Sequence, residues 1–148
     1  MTTGQRTDPY LDFRFVVEID SLLVGGFAEA EGLGVDIEAE EYEEGGVNDR
    51  TRVFPGRVSH DEISLRRGLT DATELWGWVM QAAQGRDVRK TGRILVLDST
   101  GQEAFGWDFV RAFPVRWEGP EFQADRGQVA MERLDIAHEG LRRHGGRQ

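Results

Sequence analysis

The stretch "TGRILVLDSTGQEAFGWDFVRAF", Thr91 to Phe113, decides the fold class. Ile94 to Leu97 is apolar at every position, as a strand covered on both faces would be. "DSTG", Asp98 to Gly101, carries turn residues. Beyond it Phe105, Trp107 and Phe109 alternate with Gly106 and Asp108, a period of two with one buried face. The spacing therefore predicts a β-hairpin at the centre of the chain. Pro114 is expected to bend or end its second arm.

The same period appears upstream. In "DFRFVVEID", Phe13, Phe15, Val17 and Ile19 share one face, and Arg14 and Glu18 share the other. Gly25, Gly26, Gly32 and Gly34 punctuate the next segment, which predicts two short strands, about Leu23 to Glu29 and Val35 to Tyr42. Alternation resumes in "DEISLRRGL", with Ile63 and Leu65 inward. Between these lies "EYEEGGVNDRTRVFPGRVSH", Glu41 to His60, which shows no helical period and no sustained strand period. It reads as a long loop over about residues 42–60, and a loop of that length in a small domain is commonly functional or disordered.

One helix is predicted, about Ala72 to Gln84. Asp71 and Glu74 have the spacing of a capping box, and Gly85 suits the stop. Leu75, Trp76, Val79, Met80 and Ala83 form its apolar stripe, which places Trp76 in the core and Trp78 off the stripe. Trp107 fits a strand core face, while Trp117 stands beside the Gly-Pro corner of "VRWEGP". Trp78 and Trp117 are read as subunit-interface aromatics, the commonest use of a half-exposed tryptophan. The last strand, "QVAMERLDIAH", is apolar at odd positions Val129 and Met131 and then at even positions Leu134 and Ile136, which predicts a bulge or a change of facing layer. "LRRHGGRQ" reads as a solvated end, so residues 1–141 form one domain and 142–148 a flexible tail. The fold class is mainly β with one helix: an antiparallel β-barrel or two-sheet sandwich with a flanking α-helix.

Bulk properties bound the function. A 148-residue chain that is 39% hydrophobic can bury a core, about 70% of the surface its unfolded form exposes. Its net charge of −9 argues against sequence-independent nucleic-acid binding, which needs a cationic face. No apolar run approaches the roughly 20 residues that span a bilayer. "MTTGQRTDPY" lacks the apolar stretch of a secretory signal. The chain has no cysteine, hence no disulfide framework or thiolate. Lys90 is the only lysine against seventeen arginines. Two readings of that bias compete: arginine-rich codon usage in a GC-rich genome, and adaptation to a saline cytoplasm.

Chemistry-bearing motifs are missing from the sequence. His60, His138 and His144 are scattered, and no second histidine follows His138-Glu139 at the metalloprotease spacing. There is no G-x-S-x-G, no P-loop, and "GLGVDI" lacks the third glycine of a dinucleotide fingerprint. The run "EAEEYEE" sends successive carboxylates to opposite faces of a strand, so they do not converge on a cation. No enzyme, metal or cofactor is expected. A small carbohydrate-binding barrel using Trp78 and Trp117 is a further alternative, and glycan binding by a monomer would mark it.

Four segments carry a resemblance. "DPYLDFRFVVEIDSLLVGGFAEAEGL", "EYEEGGVNDRTRVFPGRVSHDEISLRRGLTDATELWGW", "FVRAFPVRWEGPEF" and "ERLDIAHEGL" together are similar to the tail tube protein family of contractile phages and contractile injection systems. The likeness spans about Asp8 to Leu141. Its most specific pieces are the Glu-Tyr to Asn-Asp loop with its Pro-Gly exit, the Arg-Gly-Leu-Thr-Asp helix entry, and "WEGP". This chain carries arginine where lysine is usual in the segment "RTRVFPGRVSHDEISLRRG".

The resemblance implies a β-barrel-like subunit with a flanking helix, joined into hexameric rings that stack as a hollow inner tube within a sheath. It implies contacts with further copies, with sheath, baseplate and tape-measure proteins, and with cargo in the lumen. It implies no cofactor and no specific nucleic-acid or membrane binding. Assembly is expected in the cytoplasm, and the product would be part of a virion tail or a contractile particle. The long loop would reach neighbouring subunits, which makes Glu41, Tyr42, Asn48, Asp49, Arg50, Arg52, Phe54, Pro55 and Arg57 its expected contact residues. Two further roles share these motifs: a tube-initiating, baseplate-proximal paralogue, and a secreted ring of type VI-like systems that carries effectors. A closed ring also removes the edge strands that a small lone sheet exposes, and head-to-tail contacts can close or stack.

Overall fold

A computed structural model describes residues 14–20, 22–23, 27–43, 51–70, 73–122 and 130–146. Among the described residues there are ten strands and one helix: β1 (Arg14–Ile19), β2 (Leu22–Leu23), β3 (Glu29–Glu31), β4 (Val35–Glu43), β5 (Thr51–His60), β6 (Ile63–Gly68), α1 (Glu74–Ala83), β7 (Lys90–Leu97), β8 (Glu103–Glu118), β9 (Met131–Ala137) and β10 (Gly140–Gly145). The main sheet runs in the order β2-β1-β7-β8-β9-β6-β3, with β10 also on β8 and every pairing antiparallel. It is mainly β with one helix, as the periodicity predicts. The sheet does not close into a barrel: β2 and β3 stand at its two ends.

The central hairpin forms as expected. Asp98 holds its turn by accepting the backbone N–H groups of Thr100 at 2.9 Å and Gln102 at 3.0 Å, and Gly101 takes φ +85. These bonds, the Thr100 hydroxyl foremost, hold the Asp98 carboxyl below its ordinary pKa. On the inner face the side chains stack in rows across three strands: Phe15, Val96 and Phe105; Val17, Ile94 and Trp107; Ile19, Gly92 and Phe109. Gly92 is required in the last row, since an added Cβ would lie 2.1 Å from the Phe109 ring.

Strand β8 runs sixteen residues and serves both halves of the sheet. It pairs with β7 up to Ala112 and with β10 up to Val110; from Phe113 it pairs with β9. The change comes at Arg111, which has φ +51. Before it the buried side chain is Phe109, at an odd position; after it they are Ala112 and Pro114, at even ones. Pro114 does not end the strand. It lies past the last β7 pairing, at Ala112, and opposite Ile136 of β9, just before a register shift. The bend that the sequence assigns to Pro114 belongs to Arg111.

Past the bend, a second set of rows runs Ala30, Leu65, Leu134 and Trp117, then Ile63, Ile136 and Pro114. Ile63 and Leu65 are inward, as alternation predicts. The next row is charged: Arg67 lies opposite Glu132, ion-paired and nearly buried, with the Arg67 guanidinium 5.2 Å from the Phe27 ring centre and Trp117 Nε1 donating to Glu132 at 3.2 Å. On the other face of this half, Asp135 accepts from Ser64 at 2.7 Å and Arg133 at 2.9 Å. Burial pushes the Asp135 carboxyl up, but these two bonds and the Arg133 charge outweigh it and leave the pKa below the ordinary value. Strand β9 keeps one register with β6 from Met131 to Ile136, so the shift sits on β8, between Pro114 and Arg116. Val129, the other half of the expected phase change, lies outside the described residues.

Two expectations fail. Residues 142–145 are not a free tail: β10 pairs with Phe105–Val110 of β8, continuing the edge that β9 occupies farther along. And helix α1 is turned about its axis from the expected stripe. Leu75 and Trp78 are buried, with Val79 packed beside them, while Trp76 is 45% exposed. The i, i+3, i+4 set wins because the Trp78 indole N–H donates to the Val88 carbonyl at 2.7 Å, a partner supplied by the chain beyond the helix. Trp76 instead meets Trp117 edge-on at 4.8 Å. Thr73 occupies the N-cap without a side-chain bond, and Asp71 lies outside the described residues. Gly85 ends the helix at φ +79.

Replacing Trp78 by Ala should cost about 3–5 kcal/mol of unfolding free energy. Replacing Trp76 by Ala should cost about 1 kcal/mol, in line with an aromatic pair at the surface. Urea denaturation of both variants checks the order, and equal losses would reject this orientation of α1.

Candidate functional site

Residues 51–60, expected to be irregular, form β5 and pair with β4 in a separate two-stranded sheet. The strand period is obscured there by one irregularity. Ile37 faces Val58 and Ala39 faces Pro55, so Gly56 and Arg57 together oppose the single Glu38. That bulge shifts the alternation of β5 by one residue and hides it from a periodicity count. Val53 and Val58, which fell within the expected loop, continue the pattern of Val35 and Ile37 once the bulge is placed.

The two faces of this hairpin differ. Cross-strand partners put Val35, Ile37, Ala39, Val53, Pro55 and Val58 on one face, with Glu41 and Glu43 farther out. The other face carries Asp36, Glu38, Glu40, Tyr42, Arg52 and Phe54. There the Tyr42 and Phe54 rings meet edge-on at 5.4 Å. The apolar face is open to solvent, with Ile37 at 60% and Val53 at 59% exposure. A contiguous exposed apolar patch on a small protein marks a surface that meets another molecule.

The expected contact residues are thus divided. Glu41, Tyr42, Arg52, Phe54, Pro55 and Arg57 stand on the two arms, and all are exposed. Asn48, Asp49 and Arg50 lie outside the described residues. Trp78 is not a surface aromatic, being 3% exposed within the core, and Trp117 packs partly buried against that core and Trp76. Consecutive carboxylates Glu40 and Glu41 point to opposite faces. Among the described residues no group of three His, Asp or Glu converges as a metal would require.

A second open surface lies on the inner face of the main sheet. A cavity of about 600 Å³ is walled by Phe15, Ile94, Val96, Phe105 and Trp107 on one side and by Ala30 and Leu33 on the other. Glu29 and Glu31 stand at its rim, and the Arg143 guanidinium stacks on Phe105 and Trp107 at 4.3 and 4.9 Å. Trp107 therefore lines a groove and is only half buried, whereas the alternation places it in a core.

The described residues thus form an open sheet with an amphipathic hairpin outside it. The sequence model of the family described as T4-like virus tail tube protein gp19 matches residues 11–142. The chain belongs to that family. The tail tube fold is seen again in solved structures. A chain in the cryo-EM structure of the anti-feeding prophage cap, described as a tube terminating cap, is 23% identical, with a TM-score of 0.81 over 99% of this chain and 96% of that one. A chain of the sheath-tube complex of an extracellular contractile injection system is 23% identical, with a TM-score of 0.79 over 89% and 88% of the two chains. Hcp1 from Flavobacterium johnsoniae is more distant, at 15% identity and a TM-score of 0.54 over 90% and 96%. No curated protein matches the chain.

Within this tail tube protein the hairpin contributes little to the core. Replacing Ile37 or Val53 by Ser should change the unfolding free energy of the isolated chain by less than about 0.5 kcal/mol. Urea denaturation at a concentration where the protein is monomeric measures it. A loss as large as that of a core residue would mean that the apolar face is already covered within one chain.

Proposed function

We propose that the chain is the repeating subunit of the inner tube of a contractile tail or injection system, joined in hexameric rings that stack around a central lumen. The observation that carries this reading is the β4–β5 hairpin, whose apolar face has no cover within the described residues. A tail tube protein has other copies of itself to supply that cover. Burial of apolar area contributes roughly 25 cal/mol per Å², so four valine and isoleucine side chains add a sizeable gain when a neighbour covers them. The open ends of the main sheet, at β2 and β3, point the same way, because edge pairing between copies satisfies the backbone groups a lone sheet leaves free.

In this reading Glu41, Tyr42, Asn48, Asp49, Arg50, Arg52, Phe54, Pro55 and Arg57 contact the neighbouring subunit or ring, and Trp117 with Trp76 lies near such a contact. Sheath, baseplate and tape-measure proteins are the further partners, cargo passes through the lumen, and the subunit assembles in the cytoplasm into a virion tail or contractile particle. The role is a scaffold and needs no catalytic group. The net charge of −9 keeps an anionic cargo from adhering if the lumen shares it.

Native mass spectrometry and electron microscopy of the purified protein test the assembly, with sixfold rings or tubes expected. Replacing residues 38–57 by a two-residue turn should leave the main sheet folded and abolish stacking. Tubes of normal length from that variant would overturn the role given to the hairpin. A monomer under all salt conditions would favour the baseplate-proximal role, in which the subunit waits for a partner ring.

A further inference from the structure

The hairpin leaves the body of the protein almost without lateral support. Every residue of β4 and β5 is exposed except Gly56 and His60. Gly56 is covered from within the hairpin, by the Glu40 side chain. His60 is covered by the body: its ring meets the His138 ring with centroids 5.1 Å apart and planes at 44°. His138 stands where β9 passes into β10, opposite the bend of β8 at Arg111.

The rest of the base is a pivot. Gly32 takes φ +93 and sits against the Glu62 carbonyl, where an added Cβ would be 2.0 Å away. An added Cβ on Gly34 would lie 2.2 Å from the Asp61 carboxylate, and the Asp61 N–H donates to the Gly34 carbonyl at 3.2 Å. These glycines let the two connectors cross at close range, and beyond them the two imidazole rings brace the arms against the main sheet.

We propose that the His60–His138 contact is an acid-sensitive latch that holds the β4–β5 hairpin at its angle to the main sheet. His138 is tied to the body through Nδ1–H, which donates to the Gly140 carbonyl at 3.0 Å, with the Phe109 ring at 6.2 Å. That bond sets its neutral tautomer and leaves Nε2 as an acceptor. His138 Nε2 and His60 Nδ1 are buried without a hydrogen-bond partner. Protonation of His138 would put a charge on a ring packed against a second imidazole, and burial there outweighs the Gly140 and Asp61 carbonyls that favour the charged form.

The surrounding charges do not relieve this. Glu139, next to His138, is bound by Arg111 at 2.5 Å and Arg89 at 3.2 Å. Asp61 lies against Gly34, and Glu62 on the same connector is exposed. From β8 the ring faces Phe109, which carries no charge. Burial, with the His60 charge adding to it, holds the His138 imidazole below its ordinary value of 6.5. A lowered histidine pKa contributes stability above the unfolded value and loses it as pH falls through the folded one. The latch is thus closed at neutral pH and opens in acid. Weaker stacking in acid follows only if the tube reading is right; the latch itself does not rest on it.

The chain has no cysteine, so spin labels can be placed at will. Glu41→Cys on the hairpin and Ser99→Cys in the β7–β8 turn give one intramolecular distance, measured by pulsed electron paramagnetic resonance in full-length protein diluted with unlabelled chain. The distribution should be narrow at about pH 8 and widen roughly twofold by about pH 5. With His138→Phe, which keeps a ring and cannot be protonated, it should stay narrow at both. Should that variant not fold by circular dichroism, His60→Phe on the hairpin side of the contact carries the same test. A wild-type width unchanged by acid, or an equal widening in the phenylalanine variant, overturns the latch. An absence of rings at either pH counts against the tube and leaves this readout intact.

Discussion

The rest of the structure depends on the reversal of facing in β8. A strand buries every second residue, and this one buries odd positions up to Phe109 and even positions, Ala112 and Pro114, just past the bend. A regular strand cannot do both. Arg111, held at φ +51, changes the phase and bends the strand, and its side chain is tied across the bend to Glu139 at 2.5 Å. The β9–β10 edge turns at the same place, between Ala137 and Gly140. A left-handed conformation at a non-glycine residue costs on the order of 1–2 kcal/mol. Joining the two halves around one core, with Phe109 on one side of the bend and Ala112 on the other, offsets that cost.

Polar groups mark where the core ends. Arg67 and Glu132 continue the inward rows of β6 and β9 beyond Leu65 and Leu134, yet they are charged. A nearly buried ion pair adds little net stability, because desolvation opposes attraction, but losing one partner leaves a costly lone charge. Here the Trp117 indole and the Phe27 ring occupy the remaining directions, so the pair fixes one alignment of β6, β9 and the end of β8. On the reverse face the Ser64, Arg133 and Asp135 network fixes the same register.

The hairpin follows a different logic from the body. Its backbone bonds are satisfied between its own two arms, but an isolated two-stranded sheet is marginal in water. Its apolar face gains little within one chain. In the assembly proposed above, a neighbouring copy would supply the cover that this face lacks. Acidic residues flank it, Glu41 and Glu43 on one face and Glu38 and Glu40 on the other, and charges of this kind on an exposed strand oppose unspecific edge pairing.

By itself the sequence determined the strand-rich class, the central hairpin with its Asp98 turn, the inward positions of β1 and β6, and the single helix ending at Gly85. Each rests on local periodicity or local turn chemistry, which a chain carries without reference to distant residues. The resemblance carried by the Asn-Asp loop, the helix entry and "WEGP" reached the tail tube family, because those motifs are contiguous. Only the tertiary structure decided the remainder. The helical stripe put Trp76 inward, and the structure buries Trp78 instead because of a carbonyl at Val88 that no helical count includes. Strand β10 is polar and arginine-rich, and it is a strand because the edge of β8 offers it backbone partners. The loop became β5 because a bulge at Gly56 and Arg57 shifts its alternation, and the His60–His138 contact joins residues that are far apart in sequence. In each case the deciding partner is supplied by another part of the fold, where no local pattern can record it.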